Sequence, residues 1–418
     1  MSEILPLTEE HYPEAVRIVA EAYPSMGVVT NDDRRKMLER FREGVTDRLA
    51  IPYGVFRDNR LLGVFRNWDF VLNVRNHQLP IGGLGMVAVD LTHKKEHVAK
   101  DIVEFFIRHY DERGCALVSL WPFRVDFYRD MGFGLGGRMF QYRLKPEYLP
   151  AGRGKEHVRY LTAADIPAIN ECQDRMFERR NGTMQPSETY LRSQMKWAEA
   201  LRFVGCEIDG RLDGYLIYRF RKPGHPVTFM DYDMEVWQII YHTPEALSEL
   251  LSFLRSQLDQ VGQIFLQIPE DEFYFLLRNP TYATGSKLIP TGHESHIAGV
   301  GIMYRVVDVR RLFGQLKDCD FNGVSLRLKL NLTDSFFPKN AGTTVVQFDS
   351  GKPHVVGGDQ YDVAIALDIA EFSSLLMGAV RFRSLVTYGL ATISDPRHLD
   401  KVDRLFAYHE RPICYTGF

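Results

Sequence analysis

The sequence predicts an α/β and α+β protein. We expect two successive α/β units at residues 1–150 and 151–295, and a C-terminal α+β domain at residues 296–418. At 418 residues the chain is too long for a single core, since domains usually contain about 100–200 residues. Two observations set this division: segments near the start of the chain recur further on, and the sequence pattern changes near residue 300.

A repeat predicts the two α/β units. LTEEHYPEA at residues 7–15 recurs as LTAADIPAI at residues 161–169, and YGVFRDNRLLGVF at residues 53–65 recurs as VGCEIDGRLDGYL at residues 204–216. The first pair predicts a helix entered through a threonine, with a proline in its first turn. The second pair predicts a β-hairpin with a DNR or DGR turn. Because both matches occur in the same order and at similar offsets, we interpret them as a duplicated unit.

The last part of the chain predicts the α+β domain. VSLRLKLNL at residues 324–332 alternates apolar and polar side chains, which predicts a strand with one exposed face. DIAEFSSLLMG at residues 368–378 predicts a short apolar helix that ends at Gly378, and LDKVDRLFAY at residues 399–408 predicts a second helix. An apolar helix of this kind is more typical of a core than of a lipid site.

Composition and charge argue against several classes of function. The chain has 51 basic and 54 acidic residues, and a net charge of −3 gives no reason to expect nucleic acid or a membrane as a partner. We expect no signal peptide and no membrane-spanning segment. Five scattered cysteines without a CxxC pair predict buried, reduced thiols in a cytoplasmic protein. The glycines around the single HxxH, His293 and His296, favour a loop, so we predict no metal.

The first unit contains a strand–loop–helix segment that the second does not visibly share. Residues 85–89 predict a strand, residues 90–96 a tight polar loop, and residues 97–113 a helix that Gly114 ends. The start of such a helix presents free N–H groups that bind anions. The residues expected on the apolar face of this helix are Val98, Ile102, Phe105 and His109.

Two further features favour an anion or cofactor site here. Lys94 and Lys95 add positive charge to the loop. A predicted strand at residues 116–121 is followed by PFRVDFYRDMGF, in which Tyr128 lies on a short helix before Gly132.

This arrangement resembles the GNAT superfamily of acyl-CoA N-acyltransferases. In that family the amides of the loop and helix start hold the CoA pyrophosphate, and the strand that follows the helix splays to admit the pantetheine arm. The family's loop reads Arg or Gln, two residues, Gly, one residue, then Gly or Ala. The corresponding residues here are Lys94, Lys95, Glu96, His97, Val98 and Ala99.

His97 is a departure from this pattern. Glycine allows the backbone to approach phosphate without a Cβ in the way. A histidine fits only if its side chain turns outward, and Glu96 opposes the phosphates. A core turn that lost or never had a cofactor is therefore an alternative.

Over its whole length the chain resembles the enhanced intracellular survival (Eis) family of N-acetyltransferases, in which two GNAT-like units precede a sterol-carrier-like domain. Three segments add to the resemblance: VAVDLTHKK at 87–95, MYRVVDVRRLF at 303–313, where we expect the third domain to open, and RPICYTGF at 411–418. The resemblance implies an N-acetyltransferase that uses acetyl-CoA and a primary amine of aminoglycoside, polyamine or lysine type. It also implies a homo-oligomer, often a hexamer, and no metal.

The resemblance assigns roles to individual residues. The C-terminal tail returns to the active site of the first unit, where the carboxylate of Phe418 is the general base and Tyr128 the general acid toward the CoA thiolate. The residues expected around the cofactor are Val87, Ala88 and Val89 at the pantetheine, Lys94, Lys95, Glu96, His97, Val98, Ala99 and Lys100 at the pyrophosphate, and Phe123 and Arg124 bordering CoA.

Other interpretations stay open from the residues alone. A tail that merely packs would also explain Phe418, and Tyr128 could be a core tyrosine. Glu21, Asp32 and Asp33 lie in the segment that borders the acceptor site in relatives, but we favour a solvated helix face for them. The protein could also bind acyl-CoA or lipid without catalysis, or act as a scaffold.

Overall fold

The computed structural model describes residues 2–46, 50–152, 154–197, 200–224, 228, 231–288 and 291–418. The chain divides into two compact units. The first contains Met1–Gly136, Ile302–Pro412 and Thr416–Phe418, and the second contains Gly137–Gly301 and Ile413–Tyr415. The domain limits at residues 150 and 295 remain a prediction.

Among the described residues before position 137, six β-strands and four α-helices occur: β1 Glu3–Pro6, α1 Tyr12–Ala22, α2 Asn31–Thr46, β2 Ala50–Arg57, β3 Arg60–Val74, β4 His77–Val89, α3 Val98–Glu112, β5 Leu117–Leu120, α4 Val125–Arg129 and β6 Gly134–Leu135. The next stretch contains β7 Arg138–Leu144, β8 Val158–Tyr160, α5 Ile166–Phe177, α6 Glu188–Trp197, β9 Arg202–Ile208, β10 Arg211–Arg221, β11 Tyr232–Tyr241, α7 Pro244–Arg255, β12 Val261–Ile268, β13 Lys287–Leu288, β14 Gly292–His293 and β15 Ile297–Val300. The remainder contains β16 Met303–Val306, α8 Val309–Gln315, β17 Leu326–Thr333, β18 Gly342–Asp349, β19 Lys352–Val356, β20 Val363–Asp368, α9 Ile369–Leu376, α10 Phe382–Thr387, β21 Ala391–Ile393 and α11 Leu399–Phe406.

The described residues form two seven-stranded sheets that have the same arrangement of strands. The first has the order β1-β2-β3-β4-β5-β16-β6, and the second has the order β15-β7-β12-β11-β10-β9-β8. In each sheet one neighbouring pair is parallel, β4 with β5 and β11 with β12, and the other pairs are antiparallel. The predicted duplication of an α/β unit is confirmed.

The repeated segments form the same local structures. The β2–β3 turn contains Asp58 and Asn59 at φ 50° and 59°, and the β9–β10 turn contains Asp209 and Gly210 at φ 51° and 75°. These left-handed pairs are typical of tight hairpin turns, as the DNR and DGR motifs predict. The helices α1 and α5 each carry a proline at the second position and follow a 3₁₀ turn capped by a threonine.

One strand of each sheet comes from an unexpected part of the chain. β7, which follows β6, pairs with β12 and β15 in the second sheet. β16, which follows the second unit, pairs with β5 and β6 in the first sheet. We expected residues 303–313 to open the third domain, but Met303–Val306 instead complete the first sheet. A short apolar strand carries no signal for its partner, so this exchange could not be predicted.

Helix α3 buries a wider face than the sequence predicts. Val98 and Ile102 are buried as expected, but Phe105 and His109 are half-buried at the edge of the core, where their rings contact Tyr53 at 5.2 and 5.9 Å. The remaining buried residues of the helix are Val103, Phe106, Ile107 and Tyr110. The buried face is wider because α3 packs against β3 and β4, which cover side chains on both sides of the predicted row.

The C-terminal part forms a five-stranded sheet in the order β19-β18-β17-β20-β21. The predicted alternation is confirmed in β17, where buried and partly exposed residues alternate. All eight residues of α9 are buried, and Gly378 ends this stretch at φ 74°. The predicted core helix is therefore confirmed.

All five cysteines are buried free thiols, as predicted. His293 lies in a two-residue hairpin strand, and the ring of His296 packs on Tyr142 at 4.8 Å. Within the described ranges, no group of three or more His, Cys, Asp or Glu side chains is placed to hold a metal ion. In the same part of the chain, no helix combines the length and apolar character needed to cross a membrane.

Candidate active site

The first sheet opens at the end of β4. Parallel pairing between β4 and β5 runs from Ile81 and Leu117 to Leu84 and Leu120, whereas β4 continues to Val89. The register between β3 and β4 also shifts there, and Met86 has φ 48°, so β4 bulges away from its neighbour. The strand edge at residues 85–89 therefore has no partner on the β5 side among the described residues. An extended ligand with amide groups could pair with this edge.

The three residues predicted at the pantetheine have different surroundings. Val87 and Val89 are half-buried, and the carbonyl of Val87 accepts a hydrogen bond from the Tyr23 hydroxyl at 2.7 Å. Ala88 is buried, packs on the α1 side of the sheet and pairs with Val64. Along this open edge, the half-buried Val87 and Val89 thus alternate with Ala88, which faces the core.

Asp90 shapes the turn that follows β4. Its carboxylate accepts hydrogen bonds from the Thr92 backbone at 2.9 Å, the Thr92 hydroxyl at 2.6 Å and Arg17 at 2.5 Å. Burial alone would raise the pKa of Asp90, but these hydrogen bonds from Thr92 and Arg17 hold it well below its usual range. The carboxylate is therefore ionised at neutral pH and fixes the entry to the loop.

The predicted loop presents a row of free backbone donors. The N–H groups of residues 94–99 donate to none of the described groups, although the amides of Lys100 and Asp101 both bond to the carbonyl of His97. Lys94, Lys95 and Lys100 are exposed beside this row. Together with the start of α3, these donors form an anion cradle of the kind found at helix N-termini.

The backbone conformation explains how His97 fits where the family has glycine. His97 is exposed and has φ 66°, the left-handed conformation that favours glycine. The backbone therefore keeps the shape that the family's glycine would take, with a side chain added on the solvent side. Glu96 is also turned away from the cradle, because its carboxylate pairs with Arg57 at 2.7 Å and His93 at 3.2 Å.

Tyr128 is enclosed by aromatic rings. It lies on α4, is only 2% exposed, and contacts Phe127 at 5.2 Å, Phe123 at 5.8 Å and Phe133 at 6.0 Å between ring centroids. Burial raises the pKa of the Tyr128 phenol well above its usual value, and the nearby Tyr23 adds to this shift. The phenol therefore keeps its proton at neutral pH, as a proton donor must.

The two residues predicted to border CoA lie near Tyr128 on the surface. Phe123 is 62% exposed and places its ring edge against Tyr128. Arg124 is exposed and pairs with Asp126 at 2.6 Å. These side chains are placed to contact a ligand without belonging to the core.

The last three residues lie on β4 where the sheet opens. Trp121 donates its indole N–H to the carbonyl of Thr416 at 2.9 Å, and the ring of Phe418 contacts Phe70 at 4.9 Å. A Cβ on Gly83 would lie 2.8 Å from the Phe418 ring, and a Cβ on Gly85 would lie 2.8 Å from the Phe418 carboxyl carbon. The terminal carboxylate therefore rests on Gly85, one residue past the last β4–β5 pair.

The sequence did not predict the groups around this terminus, which are Trp68, Phe70, Gly83, Gly85 and Trp121. The indole nitrogen of Trp68 would also lie within 2.9 Å of a Cβ on Gly85, so it faces the same point as the carboxylate. The run GGLG inside a strand was a usable signal, because glycine in a strand often marks the close approach of another backbone.

The acidic residues considered for the acceptor do not converge. Glu21 pairs with Arg17 at 2.8 Å, and Asp32 pairs with Arg35 at 2.6 Å. Asp33 accepts from the Thr30 backbone at 2.8 Å at the start of α2. Each carboxylate is used on or beside its own helix, which favours the solvated-face interpretation.

Three family models match the chain. An acetyltransferase (GNAT) domain matches residues 3–136, a second acetyltransferase (GNAT) domain matches residues 176–306, and a sterol carrier protein domain matches residues 314–415. The chain is a tandem GNAT protein. The predicted fold class and the predicted acyltransferase class are confirmed by these domains. No curated protein sequence matches this tandem GNAT protein.

Solved structures share its whole fold. A GCN5-related N-acetyltransferase from Anabaena variabilis is 15% identical with a TM-score of 0.82, and a probable N-acyltransferase of unknown function from Enterococcus faecalis is 19% identical with a TM-score of 0.82. Eis1 from Mycobacterium abscessus is 19% identical with a TM-score of 0.76. In all three comparisons the match covers 100% of both chains. The tandem GNAT protein is therefore Eis-like in fold, as the sequence predicts.

Proposed function

We propose that this tandem GNAT protein is an N-acetyltransferase that moves an acetyl group from acetyl-CoA to a primary amine. The observation that carries the proposal is the row of free N–H groups at residues 94–99, which follows the open strand edge at residues 85–89 after one short turn. A pyrophosphate on the row would place its pantetheine arm along residues 85–89. The thioester would then lie near the carboxylate of Phe418, which rests on Gly85.

The chemistry requires a base and an acid, and the residues predicted for these roles belong to the same unit. The Phe418 carboxylate would take a proton from the attacking amine, and the Tyr128 phenol would give its proton to the departing thiolate. A positioned base or acid of this kind contributes about 10²- to 10⁴-fold each. The raised pKa of Tyr128 supports the second role, because the donor remains protonated.

The acceptor is proposed from the family resemblance alone. Aminoglycosides, polyamines and lysine-like amines share a primary amine on a polar, cationic body. The same resemblance, together with five buried thiols, supports a homo-oligomer in the cytoplasm, for which native mass spectrometry would measure the subunit number.

Two measurements test the proposal. Acetyl-CoA should raise the melting temperature, since a ligand at about 100 times its Kd adds about 2.7 kcal/mol to the stability of the folded state. A panel of one aminoglycoside, one polyamine and one lysine derivative should then release CoA thiol in an amine-dependent reaction. A shift without thiol release would indicate a binding protein, and no shift at millimolar acetyl-CoA would indicate a scaffold.

The loop gives a first prediction. Lys95→Glu should weaken acetyl-CoA binding roughly tenfold, because reversing one charge near a phosphate changes the interaction by about 1–2 kcal/mol. Affinity should also fall as salt rises. The melting temperature without ligand should stay within about 1 °C, because an exposed loop charge contributes little to stability. Isothermal titration would measure both changes, with Lys352→Glu on β19 as the matched control.

His97→Gly tests the departure from the family pattern. Glycine adopts the observed φ of 66° without strain, so binding should be unchanged or tighter and stability should not fall. Loss of binding in His97→Gly would mean that the imidazole itself contacts the phosphates.

A further inference from the structure

In the second GNAT unit, β11 separates from β12 as β4 separates from β5 in the first. We call the opening where each pair of parallel strands separates a cleft. Pairing between β11 and β12 ends at Val236 and Leu266, although β11 continues to Tyr241 and β12 to Ile268. The register between β10 and β11 shifts at the same level and leaves Trp237 as a bulge. The strand therefore leaves its parallel neighbour in the same manner as β4 does.

Register identifies the counterpart of Val87. Val64 and Tyr215 occupy the same position in the sequence repeat, and they pair with Ala88 and Ile240 respectively. Ile239, which precedes Ile240, is therefore the counterpart of Val87. In the first unit this position is predicted to serve the pantetheine arm.

The chain's own tail occupies this cleft in the second unit. The Tyr415 hydroxyl donates to the carbonyl of Ile239 at 3.1 Å, and its ring packs on the apolar cluster that contains Ile240. The backbone of Ile413 donates to the carbonyl of Asn181 at 2.9 Å. Ile413 and Cys414 are only 4% and 3% exposed. The tail is thus hydrogen-bonded and buried in the cleft.

The second cleft is not built for acetyl-CoA. Only two residues separate β11 from α7, so there is no loop comparable to residues 94–100. Pro244 begins the helix without an N–H, and the hydroxyl of Thr243 already accepts from the amide of Ala246 at 3.1 Å. The cavity that remains beside Tyr415 measures about 150 Å³, below the ~300–1,000 Å³ of typical ligand sites.

We propose that this cleft is the docking site of the C-terminal tail, and that Tyr415 is a positioning residue for the carboxylate of Phe418. The inference rests on the proposed function of that carboxylate. Helix α11 ends at Phe406, so an undocked tail of twelve residues could reach about 40 Å. Three residues follow Tyr415 and reach only about 10 Å. Because the accessible volume scales with the cube of the reach, docking confines the carboxylate to a volume roughly 60-fold smaller than that open to an undocked tail.

The test measures tail release separately from turnover. The native full-length protein is incubated with a carboxypeptidase that prefers aromatic C-terminal residues, and the loss of Phe418 is followed by intact mass. The wild-type tail should resist cleavage. Tyr415→Ala should release Phe418 at least tenfold faster, and Tyr415→Phe, which loses only the hydrogen bond to Ile239, a few-fold faster. Tyr388→Ala, at an exposed tyrosine, is the matched control and should behave as wild type.

Kinetics distinguish positioning from general structural damage. Tyr415→Ala should lower kcat about tenfold or more with little change in the KM for acetyl-CoA, and Tyr415→Phe should restore most of kcat. If both variants resisted the carboxypeptidase as well as the wild type does, the docking proposal would be overturned, even if turnover needs the Phe418 carboxylate. If both variants released Phe418 faster but the protein showed no turnover, docking would be upheld and the proposed function would be refuted instead.

Discussion

Deletion of Phe418, or addition of one residue after it, is expected to lower kcat by about 10²-fold or more. The deletion leaves a carboxylate on Gly417, but one residue shifts it by about 3.8 Å and removes its ring from Phe70. The extension converts the carboxylate into an amide, which cannot accept a proton. The shift of about 3.8 Å is larger than a hydrogen bond tolerates, because its heavy atoms must lie roughly 2.6–3.2 Å apart. Steady-state thiol release would measure the loss, and an acetyl-CoA thermal shift would verify that binding persists.

Two controls separate the carboxylate from the ring. Phe418→Leu keeps the carboxylate over Gly85 and loses an aromatic contact worth about 0.5–1.5 kcal/mol, so its kcat should fall by less than about tenfold. A tag at the C-terminus should be as harmful as the extension, whereas an N-terminal tag should be harmless. Full activity of a C-terminally tagged protein would show that the tail only packs.

Tyr128→Phe is expected to lower kcat by about 10²-fold while folding and acetyl-CoA binding persist. Only the hydroxyl is removed, and the ring keeps its contacts with Phe123, Phe127 and Phe133. Tyr53→Phe removes a hydroxyl from another buried ring of the same unit and is the matched control, with kcat unchanged. Unchanged kcat in Tyr128→Phe would show that Tyr128 only packs in the core and is not the proton donor.

The pH profile gives a second measure of Tyr128. A raised pKa means that the protonated phenol, the active form of a proton donor, persists to higher pH than for an ordinary tyrosine near pKa 10. The kcat of the wild type should therefore show no decline from this group up to about pH 9. A decline with an apparent pKa near 7 or 8 would assign the proton donor to another residue.

Local patterns in the sequence predicted local structure well. Asp58 and Asn59 form the hairpin turn that their residue types favour, and α9 is the buried helix that its apolar run indicates. The loop after β4 and the short helix with Tyr128 also lie where the sequence places them. These features depend on interactions between residues close in the chain.

Features that depend on distant partners could not be predicted. The exchange of β7 and β16 and the contact of Phe418 with Gly83 and Gly85 join residues that lie more than 100 positions apart. The hydrogen bond from Tyr415 to Ile239 is of the same kind. The periodicity of hydrophobic residues indicates which face of a strand is buried, but not which strand will lie beside it.

The strand exchange has a consequence for biosynthesis. The first sheet needs β16 between β5 and β6, and β16 is translated only after the entire second GNAT unit. A nascent chain that has emerged as far as β6 holds an open sheet edge at β5, which is a template for aggregation. The amino-terminal GNAT unit is therefore not a separable module, and a fragment that ends at Gly136 lacks one strand of its own sheet. Recombinant expression of the amino-terminal unit alone would have to supply residues 302–306 in another way, for example by fusing them through a linker after β6.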